Sequence, residues 1–530
     1  MSAESDKGPG HAPGNVRIAT NAVWTLLRYG VNWLALLAIP PLIIRDLGKE
    51  SYATWTIVLQ IAAYYSMIDI HIQTAAARFI ARSAASGDRA ELNDTIASVM
   101  LFLLALTALL IGPALWGTLS IDALFPAIPD ALAGQARVSA TVMLLGLAAS
   151  LPFTAMLGTF LGLERSGNVT IATVMAKIVS VGLMVVAVKL GGGIVSLSGC
   201  FVAGIVVTVI YYIRSWRSLR EVKRVDLRSA RSDIVRSFGA YSGSSFLLAV
   251  CSVLLVGVAI PIITTYDFGG VARYALAAIY ANLLLIPQSA ILWVVLPRMS
   301  ERSRVNDPYL MESLLLKLAS LSSISLACIT SGLVAIAPAF LGLWVGPAMA
   351  KEVLPLAIPL VLAQFIGLTM HPYRVAVAGT GEQLRTVPAI LVEGTTTAVL
   401  SLVLVRSYGA WGVAVAGLAG ALAGVIAHLT VSVRLIDSVN VSRRRYLRYG
   451  ILLPAMATAP AVIASCVGFD AFSPYAASIV TAAVCCGFAL GFLWRFSLGR
   501  ADRCELQSIA HAAWARLTNA SVFLAKRPQK

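Results

Sequence analysis

The sequence predicts an all-α integral membrane protein. About fourteen transmembrane helices form two six-helix lobes, related by a pseudo-twofold axis along the membrane normal, with two further helices after them. Three observations predict it. Hydrophobic residues make up 58% of the chain and charged residues only 12%, and the mean hydropathy is +0.82, far from a soluble domain. Some fourteen apolar stretches recur, each close to the roughly 20 residues needed to cross a hydrocarbon core of about 30 Å. Lys and Arg fall almost entirely in alternate loops.

The stretches run over about 21–44, 52–77, 95–118, 138–163, 168–189, 193–213, 238–263, 272–297, 313–337, 353–377, 386–405, 410–433, 447–467 and 474–494. In lipid only helices or closed barrels satisfy the backbone, and runs this long without strand alternation select helices. The first twenty residues are polar and precede an apolar run longer than a signal-peptide core, so span 1 reads as an uncleaved first helix. Spans 4/5 and 5/6 are so closely spaced that they form tight helical hairpins. The seven cysteines lie mostly within spans and show no metal-ligand spacing; they read as small buried apolar residues. No cofactor is expected.

Orientation follows from the positive-inside rule. With the N-terminus inside, Arg78, Arg82 and Arg89 follow span 2, eight basic residues between Arg214 and Arg236 follow span 6, and Arg443, Arg444, Arg445 and Arg448 follow span 12. The opposite loops hold only Arg45, Lys49, Arg137, Lys189, Arg273, Lys351 and Arg406. Both termini are therefore expected in the cytoplasm. The formal charge of +16 is a topology signal and an attraction to anionic membrane lipids, not a nucleic-acid footprint.

The two halves look like copies. Asp46-Leu47-Gly48 with Tyr52 precedes span 2, and Asp267-Phe268-Gly269 with Tyr274 precedes span 8. Gly162 leads from span 4 into 5 as Gly379 leads from span 10 into 11, and Lys189-Leu190-Gly191 and Ser407-Tyr408-Gly409 punctuate the 5/6 and 11/12 turns. A six-span repeat returns to the side where it began, so the copies share one orientation, with substrate expected between them near midplane. The divisions are an N-terminal lobe, 1–236, ending in a basic linker; a C-terminal lobe, 237–445; and spans 13–14 with a basic tail, 446–530. Gly420-xxx-Gly424 and Gly487-xxx-Gly491 let backbones approach closely. Pro40-Pro41, Pro152, Pro261, Pro287, Pro359 and Pro372 remove backbone donors and are candidates for bends. Leu506, Ile509, Ala513 and Leu517 form one stripe of a basic C-terminal segment, readable as an interfacial helix or a frayed tail.

Several stretches resemble a known family: Leu47-Gly48 through Tyr52 and Trp55, then Asp69 and Arg78; Gly269 through Tyr274 and Pro297-Arg298; Phe340 through Gly346, with its Leu-Trp-Val-Gly turn; and Gly379 through Glu393. Over residues 20–495 the chain resembles the Wzx-type lipid-linked oligosaccharide flippases of the polysaccharide biosynthesis transport group. Their superfamily includes the multidrug and toxin extrusion transporters and the lipid II flippase. It departs at Asp69-Ile70-His71, where the family often shows Asp-x-Gly. The resemblance implies a bacterial inner-membrane transporter, not an enzyme. It implies two lobes around a cavity open alternately to each face, and export of a polyprenyl-pyrophosphate-linked sugar. Polysaccharide polymerase and glycosyltransferases are implied partners.

Ionisable residues inside spans are the site candidates whatever the family, because each costs about 2.5–3.5 kcal/mol at a helix centre. Arg28 lies seven residues into span 1 and Lys177 near the middle of span 5, with Glu393 nearly in the corresponding place of span 11. Asp69 shares a face with Tyr65 and Gln73 by i, i+4 spacing. Arg374 follows His371 and Pro372 late in span 10. A pyrophosphate in a low-dielectric region needs cations to replace its hydration, Arg by its forked donors and Lys as a point charge. Against that reading, Arg28 could snorkel to the interface, Lys177 and Glu393 could pair across the lobes, Asp69 could serve a neighbouring helix or relay protons, and Arg374 could be interfacial. His71, His371 and His428 read as packed polar groups. No Walker-type phosphate loop is present, so direct ATP hydrolysis is not expected. Two other functions compete: export of small drugs or lipid II on the same scaffold, and a membrane glycosyltransferase. The longest outer segment, about 119–137, offers only Asp122 and Asp130 for acid/base work.

Overall fold

The computed structural model describes residues 14–219, 222, 225–286, 288, 308–380, 382–436, 439, 441–467, 474–499, 502–504 and 507–508. Among them regular structure is helical throughout. The principal helices are α1 (Gly14–Leu47), α2 (Lys49–Ala85), α3 (Arg89–Leu119), α4 (Asp130–Ser150), α5 (Thr154–Gly162), α6 (Ser166–Lys189), α7 (Ile194–Trp216), α8 (Ser232–Val256), α9 (Ala259–Tyr266), α10 (Phe268–Asn282), α11 (Pro308–Val345), α12 (Pro347–Thr369), α13 (His371–Thr380), α14 (Val387–Ala427), α15 (Leu453–Val467) and α16 (Pro474–Phe496). The end of the eighth expected span, the side chain of His71 and all four residues of the C-terminal stripe lie outside the described residues.

Ten described stretches are long and apolar enough to cross a membrane, which makes this a multi-pass membrane protein. Ten rather than fourteen meet that criterion, for reasons visible in the helices. Spans 11 and 12 merge into one stretch, Leu384–Leu435, across a sharp bend at Gly409. Span 2 is α2, whose polar stripe lowers its hydropathy. Span 7 breaks between α8 and α9, and span 8 is described as α10 and little beyond.

The described chain divides into two compact units built from discontinuous segments. One comprises Met1–Tyr280, Trp344–Leu360 and Ile390–Gly420; the other comprises Ala281–Leu343, Val361–Ala389 and Ala421–Lys530.

In the first unit α2 is central, packed against α1, α3, α5 and α8. Its approach to α5 depends on Gly158 and Gly162. A Cβ at Gly158 would stand 2.6 Å from that of Ala76, and one at Gly162 would stand 3.0 Å from the Ala77 carbonyl. This pair makes the close helix contact expected of small residues in lipid. The Gly487-xxx-Gly491 spacing does not: nothing lies within 4 Å of a Cβ at either position, so that expectation is corrected.

Three prolines in this unit share one solution. In a helix the carbonyl of residue i accepts from the N–H of residue i+4. Pro41 has no N–H for Leu37, and the Trp344 indole donates to the Leu37 carbonyl instead, at 2.7 Å. Pro261 has none for Gly257, whose carbonyl takes the Tyr64 hydroxyl, at 2.5 Å. Ahead of Pro152, the Leu151 N–H turns to Ala148, and the released Leu147 carbonyl accepts from the Tyr65 hydroxyl at 2.8 Å and from Ser150 at 2.7 Å. A bare carbonyl at membrane depth costs several kcal/mol, so the aromatic donors are structural requirements of the prolines.

At the ends opposite the basic loops, four of the seven expected outer cations are neutralised. Lys49 pairs with Glu352 and Arg137 with Asp122, Lys189 lies 2.7 Å from Asp46, and Arg273 lies 3.5 Å from Asp267 and 3.9 Å from Glu352. The duplicated motifs also make matching contacts. Asp46 reaches the turn after α6 through Lys189. Asp267 reaches the turn within α14, accepting from the Ala410 N–H at 2.9 Å. Both turns hold a glycine at positive φ, Gly191 at 80° and Gly409 at 56°.

The second unit has its core around Leu315, Tyr373, Val377, Val433 and Tyr446. Two π-helical turns, His428–Ser432 and Leu447–Leu452, border it. The α12–α13 break precedes Pro372, and the carbonyls there are again held from the side: Tyr446 donates to Thr369 at 2.8 Å and Arg374 to Gly367 at 3.1 Å. Buried Gln288 exchanges hydrogen bonds with Ser322 on α11 at 2.6 and 3.1 Å. Phe488, Phe492 and Phe496 stack along α16.

Candidate functional site

α1 and α6 pack side by side, and two contacts fix their register. Near one end the Trp24 ring lies against Gly167, and Thr170 donates to the Trp24 carbonyl at 3.1 Å. Near the other Lys189 pairs with Asp46. Trp24–Gly167 and Asp46–Lys189 are each 143 residues apart in sequence, so the helices run parallel without slippage. Arg28 is therefore level with residue 171, and Lys177 stands six residues further along, about 9 Å at 1.5 Å per residue.

Lys177 is half-buried near the centre of α6 and forms no ion pair with a described residue. The Lys177–Glu393 bridge is not made: the packing neighbours of α6 are α1, α5 and α7, and Glu393 belongs to α14, where it is half-buried. Arg28 is half-buried on α1 and lies within Coulombic reach of Tyr212, a buried residue of α7 that also senses Asp69.

Asp69 has both carboxylate oxygens engaged. The Gln73 amide donates at 2.7 Å and the Thr154 hydroxyl at 2.9 Å. Its polar stripe therefore serves α5, the helix after the Pro152 break. Arg374 belongs to the second unit, where it caps Gly367 and has its Nε buried without a partner among the described residues. His428, at 1% exposure, contacts Ser432 at 3.2 Å and sits edge-on to Tyr373, a packed polar group as expected.

The structure thus gathers Arg28, Asp69 and Lys177 into one helical bundle, α1, α2, α6 and α7. It places Glu393 on a separate segment of the same unit and Arg374 in the other unit. Sequence reasoning missed Tyr212 and Thr154. A tyrosine late in an apolar span reads as an interfacial anchor, and a threonine beside a proline gives no signal of its acceptor. Lys49 and Glu352 escaped because neither lies within a span.

No family model matches the chain, and no curated protein does. Solved structures do. The inward-facing conformation of a multidrug resistance MATE family transporter of the MOP superfamily superposes with a TM-score of 0.68 at 16% identity, over 80% of this chain and 98% of that one. The lipid II flippase MurJ, in an inward closed conformation, gives 0.65 at 14% identity over 91% and 98%. The outward-facing conformation of a MATE family transporter gives 0.59 at 15% identity over 84% and 96%. This membrane-spanning chain therefore has the helical fold of the MATE transporters and of the MurJ flippase.

Proposed function

We propose that this protein carries a polyprenyl-pyrophosphate-linked oligosaccharide from the inner to the outer leaflet of the bacterial cytoplasmic membrane by alternating access, feeding surface polysaccharide export. In this reading the two sequence lobes, 1–236 and 237–445, alternate about the substrate. Both termini lie in the cytoplasm, and the glycosyltransferases and polymerase acting on the same lipid-linked sugar are its partners. The observation that carries the proposal is the Arg28–Lys177 pair. Two cations lie about 9 Å apart along adjacent parallel helices, and Lys177 has no ion pair among the described residues.

A cation at that depth is costly, and an anionic ligand compensates it. A pyrophosphate suits both groups, taking forked donors from Arg28 and a point charge from Lys177. The polyprenyl chain stays in lipid throughout, so only the phosphates and sugar need protein partners. Glu393, Asp69 and Arg374 enter the proposal as further polar groups that the cargo meets in the course of transport.

The test is reconstitution into liposomes carrying a fluorescent polyprenyl-pyrophosphate oligosaccharide on one leaflet. Appearance of the sugar on the other is read with an impermeant glycosidase. Transfer by the wild type and its loss in Arg28→Ala and Lys177→Ala, at normal protein levels, is the expected result. Transfer of lipid II or efflux of a cationic dye, with the oligosaccharide left in place, would assign the scaffold to one of those cargoes instead.

A further inference from the structure

We infer that the second unit holds a binding site for a zwitterionic phospholipid whose headgroup carries a phosphate and a primary ammonium. The site is a cavity of about 590 Å³ where α11, the π-helical turn before α15 and the end of α16 meet, walled by Lys317, Ser320, Tyr449, Phe496, Ser497 and Asp502. Its mouth is at the end of the bundle that carries Arg443, Arg444, Arg445 and Arg448, the inner-leaflet end by the positive-inside rule.

Two features define the ligand. Lys317 Nζ and Asp502 Oδ1 stand 3.3 Å apart, each side chain one-third exposed, so the wall presents both signs of charge side by side. An anion binding at Lys317 would meet the Asp502 carboxylate, and a simple cation would meet the ammonium. A headgroup with both charges satisfies both, its phosphate toward Lys317 and its ammonium toward Asp502. Hydrogen bonding then separates the zwitterions: a primary ammonium donates to a carboxylate, whereas a quaternary one has no N–H. The second feature is Ser497, 6% exposed, whose hydroxyl is buried without a partner among the described residues. A buried hydroxyl left unpaired is costly, and a phosphate or glycerol ester oxygen supplies its acceptor. Phe496 and Tyr449 give the apolar wall for the first carbons of the acyl chains.

The cavity differs in kind from the one of about 580 Å³ beside α6 and α7, where Arg214 is the only charged group on an otherwise mainly apolar wall. That one offers a cation without an acid and has no means of favouring an aminophospholipid. The inference also stands apart from the transported cargo: it concerns a resident lipid and survives whichever substrate the protein moves.

The experiment is native mass spectrometry of the full chain, titrated with phosphatidylethanolamine, phosphatidylcholine and phosphatidylglycerol of identical acyl chains. Wild type should retain the ethanolamine lipid about tenfold more tightly than the other two, the worth of one charged hydrogen bond. Asp502→Asn should bring the ethanolamine lipid down to the level of the choline lipid, and Lys317→Gln should weaken both zwitterions. If either single variant fails to fold, the exchanged pair Lys317→Asp with Asp502→Lys, which keeps both charges, should recover the ethanolamine preference. Equal retention of ethanolamine and choline lipids by wild type, preference for the glycerol lipid, or an unchanged preference in Asp502→Asn would overturn the assignment.

Discussion

Replacing Lys177 by methionine should make the protein more stable and less active at once. Lys177 is the twelfth of the 24 residues of α6, so roughly 17 Å of helix lies on either side at 1.5 Å per residue. That places the ammonium near the bilayer centre, where a lysine costs about 2.5–3.5 kcal/mol on insertion scales. The side chain is half-buried rather than enclosed, and contact with water recovers part of this, leaving about 1–3 kcal/mol for a neutral side chain to regain. Methionine has nearly the same length and flexibility, so packing changes little. Unfolding in mixed micelles, followed by tryptophan fluorescence, should show that gain. Leaflet transfer of the oligosaccharide lipid should fall about tenfold or more, the loss of one charge-assisted contact. A residue that only supports the fold would give the reverse, lower stability with transfer following it. A variant that gains stability and transfers normally would remove Lys177 from the site.

Three further outcomes follow from the helix breaks and the duplicated turns. Trp344→Phe should cost about 1–3 kcal/mol by baring the Leu37 carbonyl, and much less in a Pro41→Ala background, where residue 41 regains an N–H; equal costs in a double-mutant cycle would refute the pairing. Asp267→Ala should cost about 3 kcal/mol, since Asp267 holds the N–H groups of Gly270 and Ala410. Asp46→Ala, losing one pair with a largely exposed lysine, should cost under about 1 kcal/mol, both read from unfolding midpoints. Gly409→Ala should destabilise by about 2 kcal/mol or more, because φ 56° with ψ −142° is glycine territory and the new Cβ would stand 2.5 Å from the Asp267 carboxylate. Gly191→Ala, with open space around it, should lose only the backbone term, about 1 kcal/mol, by the same measurement.

The fold was legible because membrane insertion writes it into composition: helix positions follow apolar runs. The Asp46 and Asp267 motifs were legible as repeats, though not their contacts. That Asp267 binds a backbone N–H while Asp46 binds a side chain depends on how the chain turns at Gly409 and at Gly191. The candidate site was legible only as single charges. Hydropathy flags Arg28 and Lys177 because each is expensive, but their spacing along the bundle depends on the α1–α6 register, which the Thr170–Trp24 and Lys189–Asp46 contacts set. Arg374 was legible as a charge close to a proline within a span, but its hydrogen bond to the Gly367 carbonyl at the Pro372 break was not.

The same logic explains why α2, at the centre of the first unit, misses the apolarity of its neighbours. Tyr64 and Tyr65 are consecutive, so their side chains leave the helix about 100° apart and serve different breaks. Tyr64 holds Gly257, orphaned by Pro261, and Tyr65 holds Leu147, released ahead of Pro152. One turn further along, Asp69 accepts from Thr154, the first residue after the Pro152 break. A carbonyl satisfied by its own helix ties a bend to the rest of that helix. One satisfied by a tyrosine on another helix is held by a hydrogen bond worth about 0.5–1.5 kcal/mol net, which a sideways shift can exchange for another donor. The two tyrosines of α2 therefore couple two interrupted helices, one from each half of the sequence, to a single helix, and a displacement of α2 along its axis would be felt at both breaks together.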